Sequence, residues 1–212
     1  MSLLKVQRKH LWETIWVVGS GRSLSFVDQT FFYSKTTIAV NHSAQIHGFV
    51  PSYVYSNYHS VMKEALHPTS LGVTLLRDTV TNELWDDAPG NVLFTDSMYR
   101  EPAGPHWDPF EKPPADDTLL YGSTSLHGAM HLAAVMGASF IVLVGADCGW
   151  IDGRDRIDGY PLGENPPEAV LGIFEQHNRK VKAWLLAEYG VHVYSLNPFL
   201  NLNLEGHEFR GG

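Results

Sequence analysis

The chain has a single cysteine, no block of lysine and arginine, and no uninterrupted apolar run of membrane-spanning length. Each shortage removes a class of protein. Cys148 has no cysteine partner, so no internal disulfide scaffold is available, which fits a reducing compartment. With 23 acidic against 15 basic residues and a formal net charge of −8, no surface stripe of cations is expected to track a nucleic-acid backbone. The most apolar long span, Ala129 to Gly145, is interrupted by His131, Gly137 and Ser139 and reads as a helix followed by a strand. Lys5, Arg8 and Lys9 stand before an apolar run, but Glu13 and a glycine turn break that run where a signal peptide needs continuity. A cytoplasmic location without a transmembrane segment is therefore expected, with peripheral association to a membrane left open. What remains is a globular composition, 44% hydrophobic and 18% charged, and 212 residues that suit one α/β domain spanning 1–212.

The first informative stretch is Ile15-Trp-Val-Val-Gly-Ser-Gly-Arg-Ser-Leu24. An apolar run breaks into a glycine turn and resumes with apolar residues at helical spacing, the pattern of a strand feeding a helix. Gly19 and Gly21 give backbone freedom and close approach, Ser20 lies between them, and Ser23 is placed to cap the next helix. Free amides at such a helix start attract an anion. The motif lacks the third glycine of a dinucleotide fingerprint and the Gly-Lys-Ser/Thr ending of a P-loop, so an ordinary tight turn explains it equally well.

Further strands are expected at Thr36–Val40, Tyr53–Tyr55, Val73–Leu76, Asn91–Thr95, Phe140–Val144 and Val191–Tyr194, with helices at about Ser60–Leu66, Ser125–Met136 and 167–189. Strands alternating with helices build a mostly parallel, Rossmann-like sheet with helices on both faces, and ligands then sit beyond the carboxyl ends of the strands. Asn41 and Asn57 each follow a strand there, although asparagine is also a common turn residue. Asp147 ends the Phe140–Val144 strand at the same rim. Ser123, Thr124 and Ser125 form a capping cluster for the clearest helix. The segment 96–117 carries Pro102, Pro105, Pro109, Pro113 and Pro114 of the chain's 12 prolines and reads as an irregular lid or insertion.

Candidate chemistry is sparse. His127 and His131 have the i, i+4 spacing of a metal pair, but no glutamate follows the first, and packing residues account for them better. Asp147, Asp152, Asp155 and Asp158 have no calcium-loop spacing; a solvated turn is the plainer reading and Mg²⁺ the sharper one. Cys148 reads as a rim or buried residue. His177 sits among polar residues in Phe174-Glu-Gln-His-Asn-Arg179, where an imidazole can serve as a general base or simply face solvent. Tyr160 can donate its hydroxyl to a leaving phosphate or act as an ordinary loop aromatic.

In order and spacing, Val17-Val-Gly-Ser-Gly-Arg-Ser-Leu24, Ala39-Val-Asn41, Val54-Tyr-Ser-Asn57, Ser123-Thr-Ser125 and Ile141-Val-Leu-Val-Gly-Ala-Asp147 resemble the bacterial sialyltransferases that use CMP-sialic acid. Val181-Lys-Ala-Trp-Leu185 and Val193-Tyr-Ser-Leu-Asn-Pro198 are similar to their final helix and strand. The resemblance implies a nucleotide or nucleotide-sugar, of the CMP type, against Gly19, Ser20 and Gly21, with Asn41 and Asn57 on its ribose and phosphate and Ser123, Thr124 and Ser125 near the sugar; Arg22 and Ser23 in the glycine turn and Asp147 at the rim are further candidate contacts by their position. It implies His177 as the base that activates an acceptor glycan or small alcohol, Tyr160 at the leaving phosphate, and no required metal or other cofactor. The chain departs from that family at Arg22, which replaces a proline, and at His177, which stands about two positions from the family's base. A sister group, the 6-hydroxymethylpterin diphosphokinase-like proteins, is similar over the same strands and at Trp150-Ile-Asp-Gly153. That resemblance implies diphosphate transfer from ATP with Mg²⁺ on Asp147 or Asp152; a binding relative without chemistry is the third reading, and a homo-oligomer is compatible with each.

Overall fold

The computed structural model describes residues 3–75, 81, 83–98, 118–120, 123–161 and 168–196. Most of the expected lid, 99–117, lies outside the described residues, as do Asn82 and the tail from Asn197.

Eight strands form one sheet: β1 Thr14–Val18, β2 Thr36–Val40, β3 Tyr53–Ser56, β4 Leu71–Leu75, β5 Val92–Met98, β6 Thr118–Leu120, β7 Phe140–Val144 and β8 His192–Ser195. Their order is β6-β5-β4-β3-β2-β1-β7-β8, and every pairing is parallel. Between them lie α1 Ser43–His47, α2 His59–Ala65, α3 Ser125–Val135 and α4 Glu168–Tyr189. Alternation at period two sorts the strand residues into two cores. Ile15, Val17, Ile38, Val40, Tyr55 and Val73 pack on the face carrying α3 and α4. Val18, Ala39 and Val144 on the other face meet Leu24 and Ala44, while Val54 and Val92 meet Met62 and Trp85. Helices thus cover both faces, as the sequence pattern requires.

The connectivity follows from handedness. From β1 to β6 the chain steps one way across the sheet, then returns over β1 to reach β7. Right-handed crossovers put the outward and returning connections on opposite faces, which is why α3 runs beneath β1, β2 and β3. The direction reverses between β1 and β7, and that reversal opens a crevice at the carboxyl rim.

Several local expectations change. The stretch after the glycine turn is two short 3-10 turns, Arg22–Phe26 and Gln29–Phe32, instead of one α-helix. Asp28 breaks the run, because its carboxylate accepts from the amide and hydroxyl of Thr30 and starts the second turn. The five-residue α1, closed by Gly48 at φ 89°, was not expected between β2 and β3. Helix α3 has no polar face: all ten residues from Ser125 to Ala134 are buried between the sheet and α4.

Candidate functional site

The two loops at the crevice are packed backbone to backbone. The amides of Gly19 and Gly21 donate to the carbonyls of Val144 and Gly145 at 2.8 and 2.7 Å. A Cβ on Gly19 would lie 2.5 Å from the Gly145 carbonyl oxygen, and one on Gly21 would lie 2.7 Å from both that oxygen and the Asp147 carboxylate. Gly21 has an ordinary extended backbone, φ −63° and ψ 158°. These glycines are needed for space between β1 and β7, not for special backbone angles.

The expected anion cradle at Ser23 is occupied by the protein itself. Asp147, 2% exposed, accepts from the Ser23 amide at 2.6 Å and from the Ser23 hydroxyl. Ser23 therefore caps nothing; it and the start of the 3-10 turn neutralise a buried carboxylate.

Above these loops lies a cavity of about 310 Å³. Gly19, Ser20, Gly21 and Gly145 to Cys148 form its floor, with Asn41 and Tyr58 from the ends of β2 and β3. Ser123, Thr124 and Ser125 open one wall at the start of α3; Leu171, Phe174 and Asn178 of α4 continue it. Asp155, Arg156 and Tyr160 close the far side from a loop that the Ile157 amide ties to the Ser20 carbonyl at 2.9 Å. The Arg156 guanidinium pairs with Asp155 at 3.0 Å and lies 5.5 Å from the Tyr160 ring centre.

The amino end of α3 forms part of this wall. Thr124 occupies the N-cap position with extended backbone, yet no side chain caps the helix. Its Oγ1 is buried without a hydrogen-bond partner among the described residues. An uncapped eleven-residue helix beside an orphaned hydroxyl suits an anionic oxygen.

His177, on α4 between Phe174 and Asn178 in sequence, is not among the residues that line the cavity; its Nδ1 shares a 2.9 Å hydrogen bond with Oγ of Ser123, which is. Burial, and then the Lys180 charge, lower its pKa below the usual imidazole value, so the ring is neutral near pH 7. Behind it, Asn178 donates to Cys148 Sγ at 3.1 Å and accepts from His127 Nε2 at 2.8 Å. Burial, first of all, pushes the Cys148 thiol up to about 12, which excludes a thiolate nucleophile. His131 accepts from the Leu120 amide and donates to the Tyr189 hydroxyl, and burial holds it to about 3. His127 and His131 are thus core residues of α3.

Other expected residues are placed elsewhere. Asn41 lines the cavity in a left-handed turn, φ 55°, with Oδ1 accepting from Ser56 Oγ at 2.9 Å. Asn57 is 2% exposed, accepts from the Tyr55 hydroxyl at 2.8 Å, and is not part of the wall. Arg22 also lies outside the wall, donating to Asp158 at 3.1 Å with its guanidinium against Phe26. Asp152 sits in an exposed turn at φ 52° and does not join Asp147. Each Asp147 oxygen accepts one hydrogen bond from Ser23, and no group of three or more His, Cys, Asp or Glu side chains that could hold a metal ion occurs among the described residues.

Sequence reasoning missed Tyr58, Arg156, Phe174 and Asn178. Asn178 had a signal: it occupies the same stripe as Leu171, Val181 and Leu185, where a buried amide must have polar partners.

Fold and cavity define an α/β protein with a cavity at the reversal of a parallel sheet. No protein-family model matches the chain, and no curated protein matches it. Among solved structures it is similar to the sialyltransferase CstII from Campylobacter jejuni, determined in complex with a substrate analogue, cytidine-5'-monophosphate. The TM-score is 0.54 at 13% identity, covering 91% of this chain and 83% of that one. The similarity establishes a shared sialyltransferase-like fold. No helix among the described residues is long and apolar enough to cross a membrane.

Proposed function

We propose that this protein is a glycosyltransferase-like transferase that takes a sugar from a nucleotide donor of the CMP type and passes it to an acceptor hydroxyl. The observation that carries the reading is the convergence of the glycine turn, Asn41 and the uncapped start of α3 on one cavity. In this reading the donor phosphate lies at Thr124 and the first amides of α3, away from the Asp147 carboxylate. The nucleoside rests on Gly19, Ser20, Gly21 and Asn41. His177, oriented by Ser123, takes the acceptor proton as the acceptor oxygen attacks the anomeric carbon, and the phosphate departs with the bonding electrons. Tyr160, from the loop that closes the cavity, supplies a hydroxyl that in this reading donates to an oxygen of the leaving phosphate as its negative charge grows. No step in this scheme calls on a metal. Diphosphate transfer from ATP is the alternative reading, in which Asp147 or Asp152 would hold Mg²⁺ with the phosphates.

The test is a thermal-shift screen of CMP, CDP, UDP, GDP and ATP, each with and without Mg²⁺. A ligand that binds only the folded state raises its melting temperature. Metal-independent stabilisation by a cytidine nucleotide is expected; Mg²⁺-dependent stabilisation by ATP alone would move the protein to the kinase reading, and silence with every nucleotide would sink both. With the donor identified, His177→Ala is expected to abolish turnover and spare nucleotide binding. Unchanged turnover refutes the base.

A further inference from the structure

A second surface lies at the opposite rim, where the chain enters the sheet. Residues 3–12 run along the carboxyl end of α3, and the amides of Arg8, His10 and Trp12 donate to the carbonyls of Val135, Met136 and Gly137 at 3.0, 2.8 and 3.0 Å. Those bonds cap the last turn of α3, while Leu3 and Val6 are buried in the core at 1% exposure each. The segment is therefore a fixed part of the fold.

What it presents outward is unusual for an acidic protein. Trp12 is 82% exposed, Leu4 65% and Leu11 42%, and Lys5, Arg8 and Lys9 are exposed among them. Trp12 and Arg8 are held in the left-handed region, at φ 68° and 55°, a conformation that large side chains rarely adopt. The backbone is thus bent against its preference while the indole is left in water. Glu13 is the one acidic side chain in this stretch, and its Oε2 is bonded to His10 Nδ1 at 2.8 Å and Thr36 Oγ1 at 3.1 Å.

We propose that residues 4–12 form a docking surface for an anionic lipid bilayer. The three cations complement negatively charged headgroups, as polybasic segments do at a membrane surface. An indole has its favoured position at the level of the headgroups, with its ring in the acyl boundary and its N–H toward water, and the exposed Leu4 and Leu11 add apolar area along the same segment. The net charge of −8 repels the remainder of the molecule from such a surface, which fixes the orientation. Bound this way, the protein turns its carboxyl rim and cavity away from the bilayer, toward solution.

Co-sedimentation of the full chain with vesicles tests this, comparing phosphatidylcholine alone with phosphatidylcholine and phosphatidylserine in equal parts. Binding is expected only to the mixed vesicles, falling as salt rises. Trp12→Ala and the pair Lys5→Glu, Arg8→Glu are each expected to weaken it by about tenfold or more, with unfolding curves checked to show that the variants remain folded. Absence of binding to the mixed vesicles overturns the proposal, as does undiminished binding by both variants. An oligomer of the free protein that Trp12→Ala dissociates also overturns it, assigning the surface to a second copy of the chain. None of these outcomes depends on nucleotide binding.

Discussion

Two short helices begin at the same rim, and the chain treats their amino ends in opposite ways. The 3-10 turn at Arg22–Phe26 has its early amide and the Ser23 hydroxyl neutralised by Asp147, a carboxylate from the neighbouring loop. Helix α3 has no side-chain cap, and Thr124 Oγ1 is buried beside it without a partner among the described residues. The first start resembles an anion site and is internally satisfied. The second is the one with bonding capacity to spare. A glycine turn followed by a serine therefore does not locate an anion; the location is set by which backbone donors the fold leaves uncompensated.

The sharpest way to break the comparison is to force the two rim loops apart. Gly19→Ala puts a methyl group 2.5 Å from a main-chain oxygen that no side-chain rotation can relieve. A loss of about 3 kcal/mol or more in urea unfolding is expected, the upper range for overpacking. A loss below about 1 kcal/mol would show that the β1 and β7 loops separate easily and that their glycines serve some other purpose.

Asp147→Asn is a smaller change with a signature of its own. The amide can keep both contacts, with Oδ1 accepting from the Ser23 amide and Nδ2 donating to Ser23 Oγ, but the charge that strengthens them is gone. A stability loss of about 1 kcal/mol is expected, the difference between hydrogen bonds to a charged and to a neutral group. Nucleotide affinity at low salt is expected to rise a few-fold, because a negative charge on the cavity floor has been removed. If affinity falls instead, Asp147 contacts the ligand directly and the internal pairing with Ser23 is not its main role.

How far the sequence could be read follows from the same contrast. The strands were legible because β-branched and apolar runs such as Thr36–Val40 and Phe140–Val144 have few alternatives to a buried parallel strand, and their order gives the sheet. The three-residue β6 and five-residue α1 were not, since elements that short depend on tertiary contacts more than on their own pattern. Within the site, Gly19, Gly21, Asn41, Ser123, Thr124, Ser125 and Tyr160 do meet at one cavity, because loops after neighbouring parallel strands share a rim. Asn57, Arg22 and Asp152 could not be sorted from them in the same way. Each has the right residue type near the right strand end, and only side-chain pairing decides whether it faces the cavity or a neighbour: Tyr55 for Asn57 and Asp158 for Arg22. Ser23 and Asp147 illustrate the limit, being two residues read separately as ligand contacts whose first partner is each other.

The last prediction separates the two helix starts by sign. Thr124→Val keeps the shape of the side chain and deletes a hydroxyl that is buried without a partner among the described residues. Removing an unsatisfied buried polar group relieves its desolvation cost, so stability is expected to stay level or rise by up to about 1 kcal/mol. Binding responds in the other direction. If the donor phosphate accepts from Thr124, losing that bond weakens nucleotide affinity by about fivefold, within the range of one hydrogen bond. Titration calorimetry and urea unfolding on the same preparation read both quantities. A variant that is less stable and binds as before would make Thr124 a structural cap, and the open start of α3 would then be as internally committed as the turn at Ser23.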